Sequence, residues 1–158
     1  MRGVRVRRAR PGERDAVLAL WTALHREHEA LDPRYRLADD APLMWANDFQ
    51  EWARDDQHAY LVAEEERGRL VGLITAHLLV PTPVYAPDLF AHVDDLYVVP
   101  EARGRGVGAR LVEAVRDWAR AQGASSLRAG VLALNPAGRA FWARMGAADF
   151  AVTVTLDG

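Results

Sequence analysis

The stretch LYVVPEARGRGVGARLVEAVRDWA, residues 96–119, decides the fold of this chain. Its first four residues favour a buried strand, and the apolar residues from Leu111 onward recur at helical spacing. Between them lie Gly104, Gly106 and Gly108. Glycine lets backbone N–H groups approach an anion closely, and the following helix directs its positive dipole end at the same place. The stretch therefore predicts a strand, a phosphate-binding loop and a helix.

Two other phosphate-binding loops do not fit these residues. A dinucleotide fingerprint requires G-x-G-x-x-G, whereas the glycines here are spaced G-x-G-x-G. A P-loop requires Lys, and all 20 basic residues of the chain are Arg. A glycine-rich turn without a ligand is the alternative interpretation, and three glycines between a strand and a helix make it the weaker one.

The composition narrows the class of protein further. A length of 158 residues, half of them hydrophobic, predicts one globular domain, and the net charge of −2 gives no case for nucleic acid. No apolar run is long enough for a membrane span or a signal peptide, so we expect a cytoplasmic protein without a membrane partner. The bias toward Arg and Ala indicates a GC-rich bacterial genome. Without Lys or Cys there is no Schiff base or thiol nucleophile, so a group transfer would run directly between two bound substrates.

Hydrophobic periodicity and turn residues predict a mixed α/β sheet in a single domain, residues 1–158. The predicted elements are, in order, a strand over 3–9, a helix over 11–30, a second helix ending near 55–57, hairpin strands over 59–65 and 69–80, a strand over 92–99, a helix to Gln122, a strand over 127–133, a short helix over 136–145, and a last strand in DFAVTVTL, 149–156.

The glycine loop and the residues after it resemble the acetyl-CoA-binding motif of the GNAT N-acetyltransferase superfamily, Gln/Arg-x-x-Gly-x-Gly/Ala. Arg103, Gly106 and Gly108 occupy its fixed positions. The resemblance covers residues 92–150 closely, and VDDLYVV looks most like the polyamine and diamine acetyltransferase branch. It implies a GNAT-type fold, in which antiparallel N-terminal strands precede a βαβα unit with splayed central strands.

The resemblance also implies acetyl-CoA as cosubstrate and no metal. Loop amides would hold the pyrophosphate, and the pantetheine would lie along the strand before the loop. Asn135 would touch the pantetheine, and its alternative role is a helix N-cap. The implied cofactor-binding residues are Leu96, Val98, Arg103, Gly104, Arg105, Gly106, Val107, Gly108, Ala109, Asn135 and Trp142.

Acetylation of an amine requires a base, because a protonated amine cannot attack the thioester. The resemblance places this base at Asp94, with His92 and Asp95 as alternatives. Strict alternation would put His92 and Asp94 on one face of the strand and Asp95 on the other, and a β-bulge would change that phase. The alternative interpretation of the two aspartates is a salt-bridged strand start.

One position departs from the family. Trp142 stands where the family usually carries a Tyr that protonates the departing thiolate, and indole is no practical acid. The thiolate would then leave unassisted or take a proton from water, and Tyr97 or Tyr85 are other candidate acids. This departure keeps an acyl-CoA-binding module with little turnover as an alternative function.

The acceptor is expected to be a small cationic amine, and a protein amine is the further alternative. In the family the first helix and the loop after it cover the acceptor, so Glu27, Asp32 and Tyr35 are the predicted acceptor-binding residues. His25 and His28 share a helix face, but no third ligand is implied and a solvated face is the better interpretation. By analogy with relatives, a homodimer is a possible assembly.

Overall fold

The computed structural model describes residues 3–86 and 88–158. Its centre is a five-stranded sheet in the order β1-β2-β3-β4-β5. The first four strands pair antiparallel, and β4 and β5 pair parallel. The strands are β1 (Arg5–Arg8), β2 (His58–Glu64), β3 (Leu70–Leu79), β4 (Phe90–Val98) and β5 (Ser126–Ala129). The predicted mixed α/β class is confirmed.

Four helices cover the two faces of this sheet. The helices are α1 (Arg14–Leu31), α2 (Ala41–Trp52), α3 (Val107–Ala121) and α4 (Pro136–Arg144). Helices α1 and α2 bury apolar residues such as Trp21 and Phe49 against one face, and Leu111 and Val115 of α3 pack on the other. None of the helices in residues 3–86 and 88–158 is long and apolar enough to cross a lipid bilayer.

A β-bulge in β4 sets the geometry of the sheet centre. Thr75 of β3 pairs with Asp95, and the next residue, Ala76, pairs with Val93, so Asp94 is an extra residue without a partner on β3. Such an insertion bends a strand and increases its twist. The parallel ladder between β4 and β5 ends at the pair Val93 and Ala129, immediately before the bulge. The predicted splaying of the two central strands is therefore confirmed.

The C-terminal segment differs from its prediction. Residues 149–156 are not a strand, and Phe150, Val152, Val154 and Leu156 are 75–96% exposed. The prediction rested on alternation of apolar and polar residues, which describes one side of a strand but supplies no neighbour for its hydrogen bonds. β5 is also shorter than predicted, ending at Ala129.

Candidate functional site

The glycine loop leaves an open cradle at the start of α3. Gly104 and Gly106 have φ values of +74° and +79°, and a Cβ at either position would meet no atom within 4 Å. Gly108 allows close packing instead: a Cβ at this position would lie 3.1 Å from the ring of Phe141 on α4, so its absence gives that ring room. Gly106 is the N-cap of α3 and supplies no side chain to cap it. The first-turn N–H groups of a helix have no partners within the helix, so these amides are available to an anion.

Arg103 connects the loop to the first helix. Its Nε donates to the Val98 carbonyl at 2.8 Å, and its Nη2 donates to Glu27 Oε1 at 2.7 Å. Its guanidinium also lies 5.5 Å from the centre of the Tyr97 ring. Arg103 and Glu27, predicted for cofactor and acceptor respectively, are therefore paired with each other across the loop.

Beyond the bulge, β4 has one free edge. The N–H of Val99 donates to Val71 of β3 at 2.9 Å. Since backbone groups of successive residues point to opposite sides of a strand, those of Leu96 and Val98 point away from β3, toward the splayed side. The Val98 carbonyl receives Arg103 there, whereas the Leu96 backbone faces the opening between β4 and β5. A linear amide-containing arm fits such an edge as an added strand would.

The bulge residue Asp94 receives two imidazoles. His77 Nδ1 lies 2.6 Å from Asp94 Oδ2, and His92 Nδ1 lies 3.1 Å from Asp94 Oδ1. An ionised carboxylate only accepts hydrogen bonds, so each Nδ1 carries its proton and donates. All three side chains are partly exposed, with 29–41% of their surface open to solvent.

Asp95 is bound on the inner side of the same bulge. Its Oδ2 accepts from the Thr75 hydroxyl at 2.5 Å, and its Oδ1 lies 3.3 Å from His25 Nε2 of α1. The residue is buried, so these partners compensate for the lost hydration of its carboxylate.

We refer to His25, His77, His92, Asp94 and Asp95 as the bulge cluster. The cluster lies on the face of the sheet that α1 and α2 cover, since Thr75 and His77 alternate with Ile74 and Ala76 of the opposite core.

Two ionisable side chains near the cluster have shifted pKa values. Burial and the negative charges of Asp95 and Asp94 raise the pKa of Tyr60 well above its ordinary value. Burial, together with the neighbouring His25, lowers the pKa of His28. Within residues 3–86 and 88–158, the side chains in ionic contact with Asp94 and Asp95 are histidines.

The predicted acceptor-binding residues Asp32 and Tyr35 lie outside the bulge cluster, and they differ in whether a ligand can reach them. Asp32 is buried and bound by the side chain and backbone N–H of Arg34, at 2.7 Å and 3.0 Å. Tyr35 is half exposed and lies edge-on to His28, with ring centres 6.5 Å apart. Tyr35 is therefore open to a ligand, whereas Asp32 is committed to capping its own turn.

The helix after β5 begins as predicted. Asn135 caps α4 by accepting the Gly138 N–H at 2.9 Å, which confirms the N-cap role. Trp142 is half-buried and packs against Phe141, with ring centres 5.5 Å apart. Of the two alternative acids, Tyr85 is exposed in the loop before β4, and burial raises the pKa of Tyr97, which makes that phenol a weaker acid.

Three residues of the site were missed by the sequence reasoning. Thr75 and His77 are polar residues at inward positions of a central strand, and polar residues in an otherwise apolar strand could have indicated a site there. His25 was interpreted as part of a solvated helix face, yet it reaches Asp95, 70 positions along the chain. No local pattern indicates that contact.

The residues from 20 to 147 match the family model described as the acetyltransferase (GNAT) family. The chain belongs to the GNAT acetyltransferase family. This GNAT protein is 30% identical over 96 residues to the uncharacterized N-acetyltransferase YhfO of Bacillus subtilis. The aligned residues make up 59% of this chain and 60% of that one. It is 36% identical over 58 residues to a thialysine N-epsilon-acetyltransferase of Bos taurus, and here the aligned residues make up 37% of this chain and 34% of that one.

Solved structures share the fold over nearly the whole chain. The tetramutant of the BH1408 protein from Bacillus halodurans superposes with a TM-score of 0.88 at 21% identity, covering 97% of this chain and 99% of that one. AAC(6')-Iy, solved with a bisubstrate analogue of coenzyme A and acetylneamine, superposes with a TM-score of 0.75 at 17% identity, covering 98% and 97%. These likenesses confirm the predicted GNAT-type fold.

Proposed function

We propose that this GNAT protein transfers the acetyl group of acetyl-CoA to a primary amine of a small cationic acceptor, within a ternary complex. One observation carries this proposal: β4 joins an open anion cradle at one end to the carboxylates of the bulge cluster at the other. The free edge between them spans Asp94 to Val98, about 13 Å at the usual rise of a strand. An extended thioester arm lying along it would bring its acetyl group to the bulge.

The cosubstrate is assigned to the loop and the free edge. Backbone amides from Gly104 to Ala109 would hold the pyrophosphate, helped by the dipole of α3. The Leu96 backbone would bind the pantetheine amides. AAC(6')-Iy, which has this fold, was solved with a coenzyme A derivative. The donor therefore requires no charged side chain beyond the loop arginines.

The acceptor is assigned to the bulge cluster. Asp94 and Asp95 supply two negative charges on the face beneath α1, and no Arg lies within salt-bridge distance of either among the described residues. Carboxylates placed this way attract an ammonium group. The printed names of one relative and of one solved complex include thialysine and acetylneamine, and both parent compounds carry amino groups. Glu27 and Tyr35 extend this assignment toward the rest of the acceptor, and Asp32 contributes to it by holding the turn that it forms with Arg34.

Asp94 is assigned as the general base. Its carboxylate is more exposed than that of Asp95, and each of its oxygens keeps a lone pair after accepting one imidazole N–H. Asp94 takes one proton from the ammonium, and the neutral amine attacks the thioester carbon. Unpaired N–H groups of β4 stabilise the oxyanion. The C–S bond then breaks, and the second amine proton reaches the thiolate directly or through water.

A second candidate function rests on Trp142. Because indole cannot protonate the thiolate, the chain would be an acyl-CoA-binding module if the thiolate needed a protein acid to leave. Release of free coenzyme A in the presence of an amine is expected from the acetyltransferase and not from the binding module. A Trp142→Tyr variant then shows which step limits the rate. A higher turnover shows that thiolate protonation limits the rate, and an unchanged turnover shows that amine attack limits it.

The experiment that tests the function measures acetylated product from a panel of polyamines, aminoglycosides, amino acids and peptides. We expect product with cationic small amines, and turnover only with neutral or acidic acceptors would refute the acceptor class. Binding of acetyl-CoA is tested by Arg105→Glu, which adds a negative charge to the loop without placing a side chain at a positive φ. Arg120→Glu, the same charge change in the last turn of α3, is the control. Equal affinity in both variants would refute the loop assignment.

The chain is further assigned as a homodimer, in which the C-terminal segment adds to the β5 edge of a second copy. Among the described residues β5 is the last strand of the sheet. The C-terminal segment begins beside this strand, because the guanidinium of Arg128 on β5 lies 3.8 Å from the centre of the Phe90 ring and 4.3 Å from the centre of the Phe150 ring. An open strand edge and an exposed alternating segment complement each other across a twofold axis. Sedimentation should show a dimer that Val152→Glu weakens and Thr153→Glu does not. A monomer at micromolar concentration would refute it.

Residues 1–158 are assigned to a single domain that works in the cytoplasm of a bacterium, where acetyl-CoA is available. They are tested by limited proteolysis, which should leave one resistant core, and by fractionation of the producing cell.

A further inference from the structure

Three ligand atoms of the bulge cluster converge at the bulge itself. They belong to His77 on β3 and to His92 and Asp94 on β4, and they lie within 4.8 Å of one another. His77 and His92 are direct partners in the ladder between the two strands, so the backbone beneath them is fixed. The three groups are presented by the sheet, and none comes from a loop.

This donor set matches the preferences of a transition-metal ion. Two imidazole nitrogens and one carboxylate oxygen form a set that zinc uses with a fourth position left open. Ligand atoms about 2.0–2.1 Å from a tetrahedral ion lie roughly 3.3 Å from each other. The distances of 2.6 Å and 3.1 Å between Asp94 and the two imidazoles are both shorter than that value, so the ion requires only small side-chain rotations that move these groups apart.

The neighbouring histidines are committed elsewhere. His58 pairs with His77 in the ladder and stacks on it at 6.1 Å, but its Nδ1 lies 3.0 Å from Asp55 Oδ2. His25 faces Asp95. The group available to one ion therefore has three members, and His58 offers a matched control on the same row of the sheet.

We propose that His77, His92 and Asp94 bind one divalent transition-metal ion, zinc foremost, with the fourth position open toward the acceptor side of the cleft. On binding, each imidazole moves its proton from Nδ1 to Nε2, so both remain neutral ligands and no proton is lost. The ion occupies one oxygen of Asp94 and sets a positive charge where a cationic amine would lie. Inhibition of acetyl transfer by zinc follows. The inhibition rests on the proposed function, whereas the binding does not.

Binding is tested without any acetyl donor, on untagged protein freed of metal with a chelator. Titration with Co²⁺ should produce the visible absorption of a tetrahedral site at one equivalent, and Zn²⁺ should displace it. His77→Ala and His92→Ala should each lose more affinity than the roughly 10–100-fold that removal of an outer-shell partner costs. His58→Ala should bind as the wild type does. Absence of one-equivalent binding at micromolar metal, or wild-type binding by His77→Ala, overturns the proposal.

Inhibition is measured through the acetylated amine, because the thiol of coenzyme A itself binds zinc. We expect stoichiometric loss of product with zinc, reversed by chelator, in the wild type and in His58→Ala. Binding without inhibition would support the site and refute the role of Asp94 in the transfer. Active enzyme that binds no metal would refute the site and leave the proposed function intact.

Discussion

Replacing Asp94 by Asn tests the assignment of the base with little change of shape. The amide keeps one oxygen, which can accept the N–H of one imidazole, but its NH₂ group faces the N–H of the other. The facing imidazole can move its proton from Nδ1 to Nε2 and accept from the NH₂ group, so at most one hydrogen bond is lost, at a site that solvent partly reaches. The loss of stability should stay near the ~0.5–1.5 kcal/mol of a single hydrogen bond.

The expected effect on the rate is larger than this structural cost. Removal of a general base lowers the rate by ~10²–10⁴, which corresponds to about 2.7–5.4 kcal/mol of activation free energy. Affinity for acetyl-CoA should not change, because the loop lies beyond the other end of the free edge of β4. The deficit should shrink at high pH, where more of the amine is already neutral.

The assay is the pH dependence of kcat/KM, measured through the acetylated product, together with thermal unfolding and acetyl-CoA affinity. Asp55→Asn is the matched control, since Asp55 also holds an imidazole, that of His58 at the start of β2, at 3.0 Å. Its profile should equal that of the wild type. An unaltered pH–rate profile in Asp94→Asn would remove Asp94 as the base and transfer that role to His92.

Two further predictions concern stability. Hydrogen bonds from Arg7 and Arg5 lower the pKa of Glu64 to about 2, below its ordinary ~4.3, so its contribution is complete above that ordinary value and is lost as the pH falls toward 2. Urea unfolding of Glu64→Gln should therefore vary less between pH 4 and 2 than that of the wild type, and an equal slope would contradict the ion pairs. Gly72→Ala places a Cβ 2.9 Å from Leu111 Cδ1 and should destabilise the chain by about 1–3 kcal/mol in the same assay. A free energy of unfolding equal to that of the wild type would show that α3 moves aside without loss of packing.

The loop and the order of elements were predictable because their signals are local. Glycine spacing, apolar periodicity and the Asn135 cap each lie within a few residues of what they specify. The bulge was anticipated only as a possible change of phase. The structure shows that it brings His92, Asp94 and Asp95 to one face, which strict alternation would have prevented.

The rest of the site could not be predicted, because it depends on contacts between distant parts of the chain. His25 and His77 join the two aspartates from α1 and β3. Arg103 is bound to Glu27, 76 positions away, although its place in the motif suggests only the cofactor. The C-terminal alternation failed for the same reason, since a strand is defined by a partner that its own residues do not encode.

The bulge also makes Asp94 a separable addition to the sheet. Without this residue Val93 would precede Asp95 directly, and their partners Ala76 and Thr75 are already adjacent on β3. Every other side chain would keep its face, and the ladder would run without interruption. A single inserted codon can therefore give a regular ancestral strand its exposed carboxylate, and a single deleted codon can take it away, with the fold conserved in both directions.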